Sequence, residues 1–219
     1  MSQAIIFDVE ATDKNDAVII EAASLNVVSL SPFEVNNPWV QRYNPGKPIS
    51  LGALSTHHIL DEELVHCPPS SSFALPADTK YLIGHNIDFD WEAIGRPDVK
   101  RICTLALSRS LWPELDSHTQ SALLYYIERE TARDQLRNAH SALADVWICS
   151  KVVAKIIEKL QPASLEALWE MSEKARIPTI MPFGKHKGEP ISQVPADYKQ
   201  WMLRQETVSI YLRKALEAQ

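Results

Sequence analysis

The order of predicted elements makes this an α/β chain, with a mixed five-stranded sheet flanked by helices and a small C-terminal α+β module. Three observations predict it. Three apolar, β-type segments come first and follow one another through turns. Two further strands then alternate with helical stretches, an order that favours a mixed sheet with helices packed on it. Residues 138–160 give the strongest helix signal, and from Val146 to Ile157 they are apolar nearly all round, the pattern of a helix that is mostly buried.

Ile5-Ile6-Phe7-Asp8-Val9-Glu10 reads as the first strand, and a polar turn follows at 13–16. The second strand region runs from Val18 to Val28, with Pro32 closing it. Trp39-Val40-Gln41-Arg42-Tyr43 alternates and precedes Asn44-Pro45-Gly46, so a third strand ends there in a turn. Residues 50–66 suit short helical turns, with Ser50 and Asp61 as caps. After a Pro/Ser-rich loop at 67–72, Lys80–Gly84 is a short buried strand leading into His85–Ile94. Arg101–Leu105 supplies the fifth strand, followed by a helix toward Leu111. Residues 119–130 are helical, and 138–160 give the strongest helix signal, with Asn138 as a candidate N-cap.

Gln161-Pro162 marks the boundary, giving a main domain over 1–160 and a small module over 161–219. Within the module, 164–175 is helical and 179–191 forms a hairpin around Gly184 and Gly188. That hairpin carries the basic tip Gly-Lys-His-Lys-Gly, and 195–217 hold two short helices.

With 219 residues, 45% hydrophobic and 23% charged, the chain fits one large domain or a domain of about 150 residues plus a small module. No apolar run approaches the roughly 18 residues of a membrane span, and no basic stretch leads into an apolar core at the start. No membrane partner is therefore expected. Cys67, Cys103 and Cys149 are far apart and lack CxxC spacing, which argues against disulfides and a thiolate zinc site and for a reducing, cytoplasmic setting. Net charge is −6, unevenly spread: residues 1–160 hold 14 Lys+Arg against 21 Asp+Glu, and 161–219 hold 8 against 7. Bulk charge does not mark a nucleic-acid binder, but ions bound by clustered carboxylates would reverse the local sign.

The acidic residues carry the chemistry. Residues i and i+2 of a strand point to one side, so Asp8 and Glu10 project together. Two such charges repel, burial adds a desolvation cost, and a divalent cation with oxygen ligands relieves both. The plainer reading is a solvated strand end carrying two acids. His140 and Asp145 are five apart, about 500° of helical rotation, so on one helix they would point some 140° apart. To serve one site, His140 must lie at or before the first turn. Asp90 follows a short strand, in the kind of loop where α/β sheets place their sites; Asp88 is the competing acid and could instead cap the next helix.

Asp8-x-Glu10, His85-Asn86-x-x-Phe89-Asp90 and His140-x(4)-Asp145 together resemble the three motifs of the DEDDh 3′–5′ exonucleases, in order and spacing, over about residues 4–150. The resemblance implies a ribonuclease H-like fold and a DNA-directed exonuclease acting in repair. It implies two ions per site, Mg²⁺ or Mn²⁺, on Asp8, Glu10, Asp90 and Asp145, with His140 as general base. It also places backbone groups of Ala11 and Thr12 at the terminal 3′-OH, and Asn86 at the strand end. His57-His58-Ile59 resembles the family's His-Gly-Ile-Thr stretch, with His58 in place of glycine and Leu60 in place of threonine, so His57 joins the substrate residues. Ile102-Cys103-Thr104, Arg109-x-Leu111-Trp112-Pro113 and Phe183-Gly184-Lys185-His186-Lys187-Gly188 resemble one subgroup of the superfamily.

In the module, Lys185 and Lys187 sit at a tip suited to phosphate contacts. Tyr198, Trp201 and Tyr211 read either as stacking platforms or as core, and core is the reading taken for Trp201, since a small module needs its aromatics inside. The expected partner is nucleic acid, DNA 3′ ends first, single-stranded or duplex, and a homodimer is compatible with the chain. An RNA-directed exoribonuclease and a non-catalytic nucleic-acid-binding accessory protein are the alternatives. A zinc hydrolase built on His57 and His58 is improbable, because adjacent helical residues diverge by about 100°.

Overall fold

A computed structural model describes residues 3–138, 140–206 and 208–218, with Asn138 by its backbone alone. Strands β1 (Ala4–Ala11), β2 (Ile19–Leu30) and β3 (Phe33–Arg42) form an antiparallel meander. Helices α1 (Leu51–His57) and α2 (Asp61–Leu64) follow, then β4 (Tyr81–Gly84), α3 (Asp88–Ala93), β5 (Lys100–Cys103) and α4 (Thr104–Leu111). β4 pairs in parallel with β1, and β5 with β4, so the five-stranded order is β3-β2-β1-β4-β5. Next come α5 (Gln120–Ile127), α6 (Arg129–Gln135), α7 (Ala142–Leu160), α8 (Leu165–Ala175), α9 (Ala196–Leu203) and α10 (Ile210–Glu217). No helix among the described residues is long and apolar enough to cross a membrane.

The period of two in β1 decides where everything packs. Ala4 and Ile6 face the larger core with Val146, Cys149, Val152 and Val153 of α7, Leu107 of α4 and Leu168 of α8. Ile5, Phe7 and Val9 face the opposite core, with Tyr43, Leu82 and Ile87. Asp8 and Glu10 continue the Ala4/Ile6 row, so the strand presents both acids on the face that α7 covers.

Several local expectations are corrected. β3 starts at Phe33 and runs through Asn36, Asn37 and Pro38, which sequence patterning treats as breakers. It is an edge strand, where a missing proline N–H costs no ladder bond, and a register shift opposite Ser24 and Asn26 absorbs the irregularity. Ser50 caps α1, accepting from the Ala53 N–H. Asp61 instead accepts from the Ile49 N–H at 3.1 Å, and Leu60 is the residue that precedes α2. The cap of α7 is Ser141, whose Oγ accepts from the Ala144 N–H at 3.4 Å; the side chain of Asn138, the expected cap, lies outside the described residues.

Helix α8 packs Leu165, Leu168, Trp169 and Met171 on the larger core, and its Ser172 Oγ accepts the Cys103 N–H of β5 at 2.8 Å. The segment after it builds a separate cluster from Met181, Ile191, Val194, Met202, Val208 and Leu212. Residues 179–191 fold back on themselves, the Met181 N–H donating to the Glu189 carbonyl, the Gly188 N–H to the Met181 carbonyl and the Ile191 N–H to the Thr179 carbonyl. They form one β-bridge, Ile180 to Pro190, and no ladder strand among the described residues. Trp201 is 48% exposed rather than core, because smaller apolar side chains already fill that cluster.

Candidate active site

β1 delivers Asp8 and Glu10, and the first turn of α7 delivers Asp145 from across the same face. Ligating oxygens of these three lie within 4.8 Å of one another. Asp90, 4% exposed in α3, is not in that tight group but is held beside it: its Oδ1 accepts the Val9 N–H at 2.9 Å, between the two acids of β1. That amide is available because pairing of β4 with β1 ends at Ile6. Asp88, the competing acid, is engaged elsewhere by Arg101 and, at 2.7 Å, by Arg176.

The cluster is short of positive charge. Burial, then Asp90, Asp145 and Glu10, pushes Asp8 well above the usual carboxylate range. Burial, reinforced by Asp145 and Glu21, lifts Glu10 to about 8. Burial takes Asp90 to about 7, against the opposing Val9 N–H. Asp145 also rises through burial, although His140 and Gln120 pull it down. Crowded, largely half-buried carboxylates with an oxygen-only donor set fit a hard divalent cation, which would return all of them to the charged form.

Glu21 is the residue that sequence reading missed. It is 4% exposed on β2, directly opposite Glu10. Its Oε1 accepts from Arg42 Nε at 2.9 Å, and its Oε2 accepts the Ala142 N–H, at the start of α7, at 2.9 Å. The available signal was a lone acid inside the apolar run Ile19-Ile20-Glu21-Ala22-Ala23. Gln120 supports the same helix end by donating to the Asp145 carbonyl at 2.9 Å.

The other candidates divide. His140 is exposed, has a left-handed backbone (φ 69°) and lies just ahead of the Ser141 cap, off the helix as the rotation argument requires. Ala11 and Thr12 are buried at the end of β1; the Thr12 N–H donates to the Val18 carbonyl, and its own carbonyl accepts from the Ser50 N–H. Asn86 is exposed with φ 67°, and its carbonyl accepts from the Phe89 N–H. His57 is buried, its Nδ1 accepting the Ile59 N–H at 3.0 Å, and its Nε2 has no hydrogen-bond partner among the described residues. His58 adopts φ 58°, a glycine-like conformation at the position where the family pattern has glycine. Lys185 and Lys187 lie on the C-terminal segment, outside the carboxylate cluster.

Sheet order and helix placement define the class: this is a ribonuclease H-like fold of the kind shared by DEDDh exonucleases. Exonuclease X in complex with 5′ overhanging duplex DNA aligns with a TM-score of 0.62 at 23% identity, covering 77% of this chain and 99% of that one. Escherichia coli exonuclease I in a zinc-bound complex with single-stranded DNA gives 0.57 at 20% identity, over 81% of this chain and 44% of that one. The nuclease domain of 3′hExo, a DEDDh family member bound to rAMP, gives 0.53 at 12% identity, over 72% and 92%.

The chain is homologous to exodeoxyribonuclease 10, exonuclease X, the subgroup that the 102–113 and 183–188 motifs resemble. The Escherichia coli K12 protein is 25% identical over 205 residues, covering 91% of this chain and 90% of that protein. A PolC-type DNA polymerase III from Caldanaerobacter subterraneus is 25% identical over 184 residues, 77% of this chain but 12% of that polymerase. Residues 172–209 separately match a family described as "Putative quorum-sensing-regulated virulence factor".

Proposed function

We propose that this protein is a metal-dependent 3′–5′ exonuclease that hydrolyses phosphodiester bonds at DNA 3′ ends, in the service of DNA repair. The carrying observation is the convergence of Asp8, Glu10 and Asp145 within 4.8 Å, with Asp90 bonded to the strand between the first two. Homology over nine-tenths of both chains to a protein named as an exodeoxyribonuclease supports the same reading.

Asp8, Glu10, Asp145 and Asp90 would hold divalent cations, Mg²⁺ or Mn²⁺, two per site. When bound, such ions lower the pKa of a water and neutralise charge at the attacked phosphate and the leaving oxygen. The chain itself then has three tasks. Its half-buried carboxylates fix the geometry from a rigid strand and the start of a helix. His140, an imidazole able to accept a proton, takes the proton of the attacking water and passes it to solvent from its exposed position. Ala11, Thr12, Asn86 and His57 meet the terminal nucleotide. In this reading residues 1–160 carry the chemistry and 161–219 form an accessory module whose first helix packs on the main core.

A second reading, an RNA 3′ end as substrate, is favoured by the likeness to an exonuclease bound to rAMP. A panel of 3′-labelled single-stranded DNA, duplex DNA and short RNA, assayed with Mg²⁺ and with EDTA, separates the two. DNA shortening that EDTA and Asp8→Ala both abolish is expected. Cleavage that persists in either case overturns the proposal.

A further inference from the structure

Between the turn at 184–188 and helix α9 lies an open cleft of about 320 Å³ lined by Lys185, His186, Pro195, Asp197, Tyr198 and Trp201. We propose that it is a stacking site for a segment of single-stranded DNA, with a base laid on Trp201 and Tyr198 and the flanking phosphates at Lys185 and Lys187. The proposal rests on the nucleic-acid reading above for the class of polymer presented, and on the cleft itself for the site.

Two large aromatics of this module lie outside its core cluster: Trp201, in the cleft wall, is 48% exposed and Phe183 47%, while Met181, Ile191, Val194, Met202 and Leu212 form that cluster. The aromatic wall is fixed in place. Tyr198 meets His186 edge-on at 4.6 Å and Trp201 at 5.4 Å between ring centroids. The Tyr198 hydroxyl accepts the Lys185 N–H at 3.2 Å. Gly184 has φ +81°, and a Cβ there would stand 2.5 Å from that hydroxyl, so the turn is pressed onto the ring as only glycine permits. A preset aromatic surface loses little freedom when a base stacks on it.

The charge around the cleft selects the ligand. Glu189 Oε2 engages His186 Nδ1 at 2.9 Å, but among the described residues neither Lys185 nor Lys187 has an ion-pair partner. Residues 177–218 hold six Lys+Arg against four Asp+Glu, whereas 1–160 hold 14 against 21. A polyanion repelled by the acidic main part therefore finds Lys185 in the cleft wall and Lys187 on the same turn, against the single carboxylate of Asp197 in the lining, together with exposed ring surface, the combination that single-strand binders use. An apolar peptide would have no use for the two lysines.

The test is binding of a 5′-fluorescein-labelled dT12 oligonucleotide to the full chain in EDTA, read by anisotropy across a salt series. Trp201→Ala should weaken binding about 5- to 100-fold, the scale of one lost base–aromatic stack, with an unchanged melting temperature. Trp201→Phe should recover most of the loss. Lys185→Ala with Lys187→Ala should flatten the dependence of log K on log salt by about 1.4, or 0.7 per lost phosphate contact. Affinity within twofold of wild type in both the Trp201→Ala and the double lysine variant overturns the proposal and leaves the cleft to a protein partner. It is equally overturned if the wild-type chain does not bind, or if Trp201→Ala loses affinity only together with its melting transition while the lysine pair has no effect. Because hydrolysis is blocked, failure of the nuclease reading appears separately, as intact binding without cleavage when Mg²⁺ is supplied.

Discussion

Glu21 Oε2 accepts the Ala142 N–H at 2.9 Å, tying the second strand to the start of α7 across 121 residues of sequence. The same carboxylate takes Arg42 Nε at 2.9 Å, so a single buried acid fixes the helix that brings Asp145 to Glu10. Glu21→Ala leaves the Ala142 amide buried without an acceptor and should cost about 1–3 kcal/mol in urea unfolding. Glu21→Gln keeps an acceptor and should cost clearly less. Equal losses would show that the charge, not the bond to α7, is what matters.

Without metal, the acidic cluster should make stability fall as pH rises. Glu10 and Asp90 are lifted to about 8 and about 7, above their ordinary 4.5 and 3.8. A carboxyl whose folded pKa is raised contributes stability that is complete below its unfolded pKa and is lost as pH climbs through the folded one. Burial holds His85 down to about 4, with the opposite sign: its contribution is complete above its ordinary 6.5 and is lost as pH falls toward 4. The clean window is therefore pH 6.5 to 8.5. In EDTA the melting temperature should decline across it, and Mg²⁺ should restore more at the upper end. A flat profile, or equal rescue at both ends, contradicts the buried-carboxylate account.

His140→Ala should reduce the hydrolysis rate by about 10²–10⁴-fold, as for removal of a general base. Metal-induced stabilisation should survive, because the side chain is exposed and lies outside the carboxylate cluster. Parallel loss of rate and of the metal-induced melting shift would remove His140 from the role of base.

Gly84→Ala should damage both fold and site. A Cβ at Gly84 would sit 2.9 Å from the Phe7 carbonyl and 2.6 Å from Ile87 Cδ1. The backbone of β1 cannot retreat cheaply, since Phe7 is paired with Ser24 on its other side. Overpacking of this kind costs about 1–3 kcal/mol. Since Phe7 precedes Asp8, metal affinity should fall as well; a variant with wild-type melting behaviour would show that the β1–β4 contact yields more readily than its geometry implies.

Four of the five strands are legible because each carries apolar, largely β-branched residues bounded by polar or turn-forming segments, and β1 displays its acids through simple alternation. The displacement of His140 from the helix was legible too, since rotation alone forbids it from sharing a face with Asp145. What escaped was set by tertiary context. Pro38 reads as a breaker unless the strand is known to be an edge. Asp88 and Asp90 look alike in sequence, and only Arg101 and Arg176 on one side and the Val9 amide on the other tell them apart. Helix α8 has an amphipathic pattern that does not say which core it serves, yet it packs on the main one through Leu168 and Ser172. Size alone places Trp201 inward, but smaller aliphatic residues fill that cluster.

The placement of β1 at the centre of the sheet has a consequence for the order in which the protein is made. Glu10 leaves the ribosome 135 residues before Asp145 (145 − 10), although the two end within 4.8 Å of each other. The hairpin partner of β1, β2, follows at once, but its parallel neighbour and the helix that covers it arrive much later. Until α7 has emerged and docked, a growing chain lacks Asp145, so the complete carboxylate group can assemble only late in synthesis.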